Sequence, residues 1–204
     1  MITGIVDLKL NNIFSIENAC KKLGLKTVKI SSKDQIKSCD ALILPGVGSF
    51  HKAIYRLDKL NLSYEIKDFI NSGKPFLGIC LGMQLLFEKS YEFVKSNGLS
   101  IFKGDVVSLD AIDRSTLVPH IGMNYLELET KTKNSNIKIY EDKKYFFNHS
   151  FTVQADDNLC LSKTKLKNEK FISVINKEKI LGTQFHPELS YDHGLELIKC
   201  LKNL

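Results

Sequence analysis

The sequence predicts an α/β fold: a single domain with an open, largely parallel sheet that is flanked by helices and extended by antiparallel or mixed strands. Three observations carry this prediction. Short apolar runs alternate with segments of helical spacing in the first half of the chain. Shorter strand-like runs, separated by polar loops, fill the second half. The 204 residues, 43% of them hydrophobic, are enough to bury one sizeable core rather than two.

The first half contains four strand-like runs with helical segments between them. Apolar residues recur at helical spacing from Ile13 to Leu23 and stop near Gly24. The predicted strands cover residues 2–6, 25–30, 41–44 and 75–79, and two further helices cover residues 53–60 and 66–70. Strands that alternate with helices are usually parallel, and such sheets bind ligands beyond the carboxyl ends of their strands. We therefore expect Gly46 and Cys80, which follow two of the strands, at that edge.

The second half shows no internal repeat and no break in composition. Its strand-like runs cover residues 99–109, 125–128, 145–153, 171–175 and 180–185, and residues 191–204 form a last amphipathic helix. We expect these runs to extend the first sheet with antiparallel or mixed pairing. Because no linker separates the two halves, one domain is predicted for residues 1–204.

Composition and charge exclude several classes of function. The formal net charge is +6, and the lysines are interspersed with acids, so the chain lacks the basic stripe typical of nucleic-acid binders. No apolar segment approaches the roughly 20 residues of a membrane span, and the first residues lack a secretory signal. Five scattered cysteines are untypical of a disulfide framework or a paired Cys-x-x-Cys metal site. We therefore expect a cytoplasmic protein that binds no metal, cofactor, nucleic acid or membrane.

Cys80 stands between glycines at the end of a predicted buried strand, in Gly78-Ile79-Cys80-Leu81-Gly82. Glycines permit close packing or unusual dihedral angles, as they do in the nucleophile elbow of serine hydrolases. A strand, a sharp turn and a helix present a thiol at the sheet edge, so Cys80 is the candidate nucleophile. Taken alone, a cysteine in an apolar run is more often a small core side chain.

The distant segment Gln184-Phe185-His186-Pro187-Glu188 favours the catalytic interpretation. A working thiolate needs a nearby base, and the base needs a third group that orients it. Side chains two residues apart in an extended segment point to the same side, which places His186 beside Glu188. An ordinary polar turn is the alternative for this segment. The conjunction with the cysteine turn predicts a triad of Cys80, His186 and Glu188.

Four blocks resemble the class I (triad) glutamine amidotransferases, and together they span nearly the whole chain. Pro-Gly-Val-Gly in the first block, and Met83 before Gln84 in the second, are typical of the glutaminase subunit of imidazole glycerol phosphate synthase. The blocks are Leu44-Pro45-Gly46-Val47-Gly48-Ser49-Phe50, Gly78-Ile79-Cys80-Leu81-Gly82-Met83-Gln84, Val118-Pro119-His120-Ile121-Gly122-Met123-Asn124 with Asn148-His149-Ser150, and Gln184-Phe185-His186-Pro187-Glu188.

The resemblance implies a glutaminase reaction with no metal and no cofactor. Cys80 would form a γ-glutamyl thioester and release ammonia, after which water would hydrolyse the thioester to glutamate. His186 would transfer the proton, and Glu188 would orient and stabilise the imidazolium.

The resemblance also implies the residues that bind L-glutamine. Gly46, Val47 and Gly48 form the oxyanion loop, and backbone N–H groups near Val47 and Leu81 donate to the oxyanion. Gln84 lies near the glutamine, although a helix-surface amide is its alternative role. The backbone around His149 and Ser150 contacts the substrate, and neither His149 nor His120 is expected to be catalytic.

The sequence departs from the subunit's usual pattern where that family meets its cyclase partner. The departures are Asp7-Leu8-Lys9-Leu10-Asn11-Asn12, Met123 in place of Trp, Asn148 in place of Val, and Leu189 in place of Lys. A heterodimer with a cyclase-type barrel in histidine biosynthesis is the leading hypothesis. A sugar-amidating synthetase of surface-polysaccharide biosynthesis is the alternative acceptor of the ammonia. A non-catalytic Cys-elbow module is a distant alternative, because the His-x-Glu pair and the oxyanion glycines are intact.

Overall fold

The structure, a computed structural model, describes residues 1–10, 13–130 and 137–204. The four strands predicted in the first half are confirmed to within two residues at each end. The short helix α2 escaped sequence analysis because it spans only five residues. The elements of this half are β1 (Ile2–Val6), α1 (Phe14–Lys22), β2 (Lys26–Ile30), α2 (Lys33–Lys37), β3 (Ala41–Gly46), α3 (Phe50–Lys59), α4 (Leu62–Asn71), β4 (Phe76–Cys80) and α5 (Leu81–Gln84).

The second half consists mainly of strands. They are β5 (Lys89–Ser90), β6 (Ser96–Asn97), β7 (Asp105–Ser108), β8 (His120–Tyr125), β9 (Glu127–Leu128), β10 (Lys144–His149), β11 (Phe151–Gln154), β12 (Cys160–Lys165), β13 (Lys170–Lys177) and β14 (Ile180–Thr183), with the helices α6 (Leu109–Ile112) and α7 (Tyr191–Lys199). A 3₁₀ turn, Cys200–Lys202, follows α7, so the last predicted helix ends earlier than expected. No helix in the described ranges is long and apolar enough to cross a membrane.

Several strand predictions for the second half were wrong in their bounds. Residues 99–109 are not one strand, because the N–H groups of Leu99 and Ile101 donate to carbonyls that follow α5 and only β7 remains extended. Residues 145–153 form two strands, β10 and β11, which belong to different sheets. The run at 125–128 is split between the end of β8 and β9. Strand β12 was missed because its buried residues Ser162 and Thr164 are polar.

An eight-stranded sheet in the order β2-β1-β3-β4-β14-β13-β12-β9 forms the centre of the molecule. The strands from β2 to β14 in this order are parallel, whereas β13, β12 and β9 add antiparallel pairs. This arrangement confirms the predicted parallel sheet with a mixed extension. Strands β8 and β10 form a separate antiparallel pair, and β11-β7-β5-β6 form a four-stranded sheet.

Two hydrophobic clusters cover the two faces of the central sheet. Leu42 and Leu44 of β3 belong to one cluster, together with residues of α3 and α4. Ile43, between them, belongs to the other cluster with residues of α1 and α7. Successive side chains of a strand point to opposite faces, so the clusters lie on opposite sides of the sheet. Because both faces are covered, the carboxyl edge of the parallel strands is left for a site.

The turn after β4 packs directly onto the end of β3. A Cβ atom at Gly82 would lie 1.7 Å from the carbonyl oxygen of Leu44, and a Cβ atom at Gly46 would lie 2.6 Å from Cβ of Leu81. Non-bonded carbon atoms prefer separations of about 3.5–4.0 Å. The two glycines therefore let α5 cross the end of β3 and bring Cys80 beside the loop that follows Gly46.

Gly82→Ala should lower the free energy of unfolding by about 3 kcal/mol, because the clash is with backbone that no side-chain rotation relieves. Urea denaturation would measure this loss. Gly73→Ala is the matched control, since its Cβ meets open space and only its φ of +71° opposes the change, at about 1 kcal/mol. Equal losses in the two variants would contradict the packing argument.

Candidate active site

Cys80 lies in a strained turn between β4 and α5. Its φ is 53° and its ψ is −112°, a backbone conformation that costs a residue other than glycine on the order of 1–3 kcal/mol. Close packing over Gly78 maintains the turn, because a Cβ atom there would lie 2.9 Å from the carbonyl oxygen of Gly82. The structure thus has the strand, sharp turn and helix that the sequence predicts. Only 4% of Cys80 is exposed.

His186 and Glu188 form a buried pair beyond β14. Nδ1 of His186 lies 2.9 Å from Oε1 of Glu188, and each side chain is 6% exposed. The predicted proximity is present, but its predicted cause was wrong. His186 has extended dihedral angles, whereas Glu188 lies in the 3₁₀ turn Pro187–Leu189, so a turn rather than strand alternation brings the two side chains together.

The backbone of His186 is anchored to β10. The N–H of His186 donates to the carbonyl oxygen of Phe146 at 2.8 Å. Oγ of Ser190 accepts from the N–H of Phe146 at 2.9 Å and donates to the carbonyl oxygen of His186 at 2.6 Å. This fully buried serine thus ties the backbone of His186 to β10. No sequence signal pointed to Ser190, because its role depends on a partner 44 residues away.

Opposing effects act on the imidazole of His186. Burial lowers its pKa, but the interactions with Cys80 and with Glu188 act in the other direction and outweigh burial, so the pKa is raised. Nε2 of His186 is buried and forms no hydrogen bond to any residue in the described ranges. A ring whose pKa is raised by a neighbouring sulfur and a carboxylate is suited to accept and return a proton.

A cavity of about 360 Å³ opens in front of the thiol. Its volume falls in the range of small-molecule sites. The structure brings together here nearly all the residues predicted for substrate binding, with Gly46 as the exception. Gly46 lines a second cavity of about 200 Å³ that includes His186 and Glu188. The larger cavity is lined by Val47, Gly48, Ser49, Cys80, Leu81, Gln84, Glu92, Phe93, Pro119, Asn148, His149, Ser150 and Phe151.

Both ring nitrogens of His149 are engaged inside the protein. Nδ1 lies 2.9 Å from the carbonyl oxygen of Phe151, and Nε2 lies 3.1 Å from Nδ1 of His120. Burial lowers the pKa of His149 to about 3, so the ring is neutral near pH 7. Burial also lowers the pKa of His120. These contacts give both rings a structural role and leave only the backbone of His149 for a ligand.

Glu92 lines the larger cavity and escaped sequence analysis. Its Oε2 accepts the N–H of Phe50 at 2.6 Å, which holds the carboxylate at the start of α3. Burial raises the pKa of Glu92, and the hydrogen bond from Phe50 opposes this rise. In the sequence, Glu92 stands between Tyr91 and Phe93, in no recognisable motif and 42 residues from its partner, so only the tertiary structure reveals it.

Three of the positions that depart from the family pattern lie on the surface, whereas Leu8 is only 2% exposed. Met123 is 37% exposed and Leu189 is 46% exposed, and Asn148 is also exposed. Leu189 and Asn148 line the smaller cavity, next to His186. Asn11 and Asn12 lie outside the described residues. Within the described ranges, no group of three or more His, Cys, Asp or Glu side chains is arranged to hold a metal ion.

Comparison with known proteins gives relatives along the full length of the chain. The chain is 42% identical over 206 residues to "Imidazole glycerol phosphate synthase subunit HisH" of Caldanaerobacter subterraneus subsp. tengcongensis, covering 97% of this chain and 99% of the relative. It is 40% identical over 206 residues to the protein of the same name from Aquifex aeolicus, covering 99% and 96% of the two chains.

Solved structures and a family model agree with these relatives. The structure of PurLQS from Thermotoga maritima superimposes with a TM-score of 0.75 at 16% identity, covering 99% of this chain and 97% of that one, which shows the fold alone. A structure described as a glutamine amidotransferase gives a TM-score of 0.74 at 17% identity over the whole of both chains. The family model for glutamine amidotransferase class-I matches residues 5–199. With nearly its whole length matched, this chain belongs to the class-I glutamine amidotransferases.

Proposed function

We propose that this chain is the glutaminase subunit of imidazole glycerol phosphate synthase, which hydrolyses L-glutamine and passes the ammonia to a cyclase subunit in histidine biosynthesis. The observation that carries the chemistry is the strained Cys80 beside the buried pair of His186 and Glu188. Relatives with 36–42% identity, named as subunits of that synthase, support the pathway. A biosynthetic role of this kind belongs in the cytoplasm.

The first half of the reaction forms a thioester. His186 takes the proton of the Cys80 thiol, and the thiolate sulfur attacks Cδ of glutamine. The negative charge that develops on the amide oxygen is stabilised by the backbone N–H groups of Val47 and Leu81. The C–N bond then breaks, the leaving nitrogen takes the proton from His186, and ammonia departs.

The second half of the reaction regenerates the thiolate. His186 accepts a proton from water, whose oxygen attacks the thioester carbon. The C–S bond breaks, its electron pair returns to the sulfur of Cys80, and glutamate leaves. Throughout both halves, Glu188 accepts the hydrogen bond from Nδ1 of His186 and stabilises the positive ring.

The walls of the larger cavity fit an amino acid. The carboxylate of Glu92 faces the space in front of the thiol and offers an acceptor to an α-ammonium group. Nε2 of Gln84 is already committed to the carbonyl oxygen of Phe151 and to Oε1 of Gln184, so only the oxygen of the Gln84 amide is left for a ligand. Together with the backbone of His149 and Ser150, these groups support glutamine as the substrate.

An exposed apolar surface supports a protein partner. Ile121, Met123 and Tyr125 alternate along β8, so their side chains lie on the same exposed face of this strand. Ammonia that escapes into water becomes protonated and loses its nucleophilic lone pair, which favours transfer inside a complex. We infer that this surface and Leu189 contact the cyclase barrel in a heterodimer.

A sugar-amidating synthetase remains the second candidate acceptor. The observation that favours it is the exposure of Met123, Asn148 and Leu189, three of the positions that depart from the synthase pattern. A partner that binds this surface would contact different side chains from those that the cyclase usually contacts. The names of the relatives favour the cyclase.

Cys80→Ala should abolish glutamine-dependent activity, by at least ~10⁴-fold, while the partner's use of ammonium salts survives. The reason is that a thioester needs a thiol, and Cys80 is the one cysteine among the described residues that line this cavity. Product formation by the complex with glutamine, and separately with ammonium chloride, would measure both activities. Normal glutamine hydrolysis by Cys80→Ala, or failure of a glutamine-like affinity label to attach to Cys80, would disprove the assignment.

His186→Ala should reduce kcat for glutamine at least as much as Glu188→Gln, for which we expect a loss of about 10²–10⁴-fold. The imidazole transfers the proton, whereas the carboxylate orients and stabilises it. Steady-state rates and thermal unfolding of both variants would be compared with wild type. Unfolding of Glu188→Gln at ambient temperature would instead support a structural carboxylate, and full activity of His186→Ala would rule out the triad.

The isolated chain should hydrolyse glutamine slowly, and the correct partner with its acceptor bound should accelerate it roughly 5- to 150-fold, the range of typical coupling energies. Glutamine turnover would be measured alone, with a histidine-pathway cyclase and its ribonucleotide, and with a sugar-amidating synthetase. Acceleration by the synthetase alone would replace the first acceptor with the second. Fast turnover that neither partner changes would identify a stand-alone glutaminase.

A further inference from the structure

A chain of buried amides runs behind the nucleophile. Gln184 is fully buried directly after β14, and its Nε2 lies 3.7 Å from the sulfur of Cys80. Its Oε1 accepts from Nε2 of Gln84 at 3.0 Å, across 100 residues of sequence. Nε2 of Gln84 also donates to the carbonyl oxygen of Phe151 at 2.7 Å. The mechanism described above uses Gln84 but gives Gln184 no role.

The direction of every hydrogen bond in this chain follows from its first member. The carbonyl oxygen of Phe151 only accepts, so the nitrogen end of the Gln84 amide must face it. That nitrogen only donates, so the oxygen end of the Gln184 amide must face Gln84. The NH₂ group of Gln184 is therefore turned towards the sulfur of Cys80. The opposite orientation would set two donors against each other and leave the buried amide unsatisfied.

The sulfur of Cys80 lies between one donor and one acceptor. A thiol donates to the carbonyl oxygen of Asn148, which lies 3.8 Å from the sulfur. A thiolate has no proton to donate, and it accepts from the NH₂ group of Gln184 instead. Hydrogen bonds to the ionised form of a group favour ionisation, and charge-assisted bonds are about twice as strong as neutral ones.

We propose that Gln184 is a further catalytic residue, whose side-chain N–H donates to the sulfur of Cys80 and stabilises the thiolate. The inference rests on the proposed glutaminase reaction. In the first half of that reaction, the contact increases the fraction of Cys80 that is ready to attack. In the second half, the C–S bond of the thioester breaks and its electron pair returns to the sulfur, where the same N–H receives the developing charge.

Gln184→Met tests the contact, because methionine has a similar length and no N–H donor. Alkylation of Cys80 by iodoacetamide would be followed from pH 5 to pH 10 by peptide mass spectrometry, which separates Cys80 from the other four cysteines. Below the midpoint of the pH profile, we expect alkylation on the order of tenfold slower than in wild type. The midpoint should move to higher pH by about one unit.

The plateau at high pH distinguishes this role from a structural one. A thiolate without the hydrogen bond is a stronger nucleophile, so the plateau in Gln184→Met should equal or exceed that of wild type. A distorted site would instead lower the rate at every pH. Ser173→Ala is the matched control, because it removes a buried hydrogen bond between Ser173 of β13 and Thr164 of β12, away from the sulfur. Its profile should match wild type.

A profile with an unchanged midpoint in Gln184→Met would overturn the proposal. If this variant does not fold, the side-chain NH₂ resonances of Gln184 in the wild-type chain provide the test. In wild type, their chemical shifts should change with pH at the same midpoint as the alkylation rate. In Cys80→Ala, the chemical shifts should stay constant. Chemical shifts with the same pH dependence in wild type and in Cys80→Ala would overturn the proposal as well. If wild type fails to hydrolyse glutamine with either partner, the proposed function fails, while these profiles still report whether Gln184 contacts the sulfur.

Discussion

The contact between Gly82 and the end of β3 is the constraint on which the site depends. The missing side chain at Gly82 lets α5 pass against the carbonyl group of Leu44. This approach fixes the turn at Cys80 and its positive φ. In the parallel register of β3 and β4, Gly46 lies opposite Cys80, so the proposed oxyanion loop begins next to the proposed nucleophile. The close approach of Gly82 to β3 thus aligns two of the three parts of the site, which are the turn at Cys80 and the loop that follows Gly46.

The third part reaches the site through the next strand of the sheet. Strand β14 pairs in parallel with β4, and Thr183 lies opposite Ile79, so both strands end at the same edge. The turn after β14 then carries His186 towards the thiol, and the contacts of Ser190 hold it there. Burial makes a charge on either side chain of the His186–Glu188 pair costly in isolation, and their mutual contact offsets part of that cost.

The sequence predicts local patterns well and long-range contacts poorly. Strands β1, β3 and β4 are apolar runs with few competing signals, and the Cys80 and His186 segments contain motifs that their own residues define. Strand β12 could not be predicted in this way, because the polar residues Ser162 and Thr164 occupy buried positions where apolar residues are expected. Glu92 has no local signal, and the motif that contains Gln184 gives that residue no role, because their partners lie 42 and 100 residues away in the sequence. Both residues acquire their hydrogen-bond partners only when the chain has folded.

The buried amides also connect the substrate cavity with the nucleophile. Hydrogen bonds in a chain polarise one another, and the effect is larger where the surroundings are apolar. A positively charged group that donates to the oxygen of Gln84 draws electron density from its nitrogen and makes its N–H a stronger donor to Gln184. The amide of Gln184 is then polarised in the same direction, towards the sulfur of Cys80. Under the proposed role of Gln184, a ligand that donates to the Gln84 oxygen would therefore strengthen the N–H contact to the sulfur and favour the thiolate.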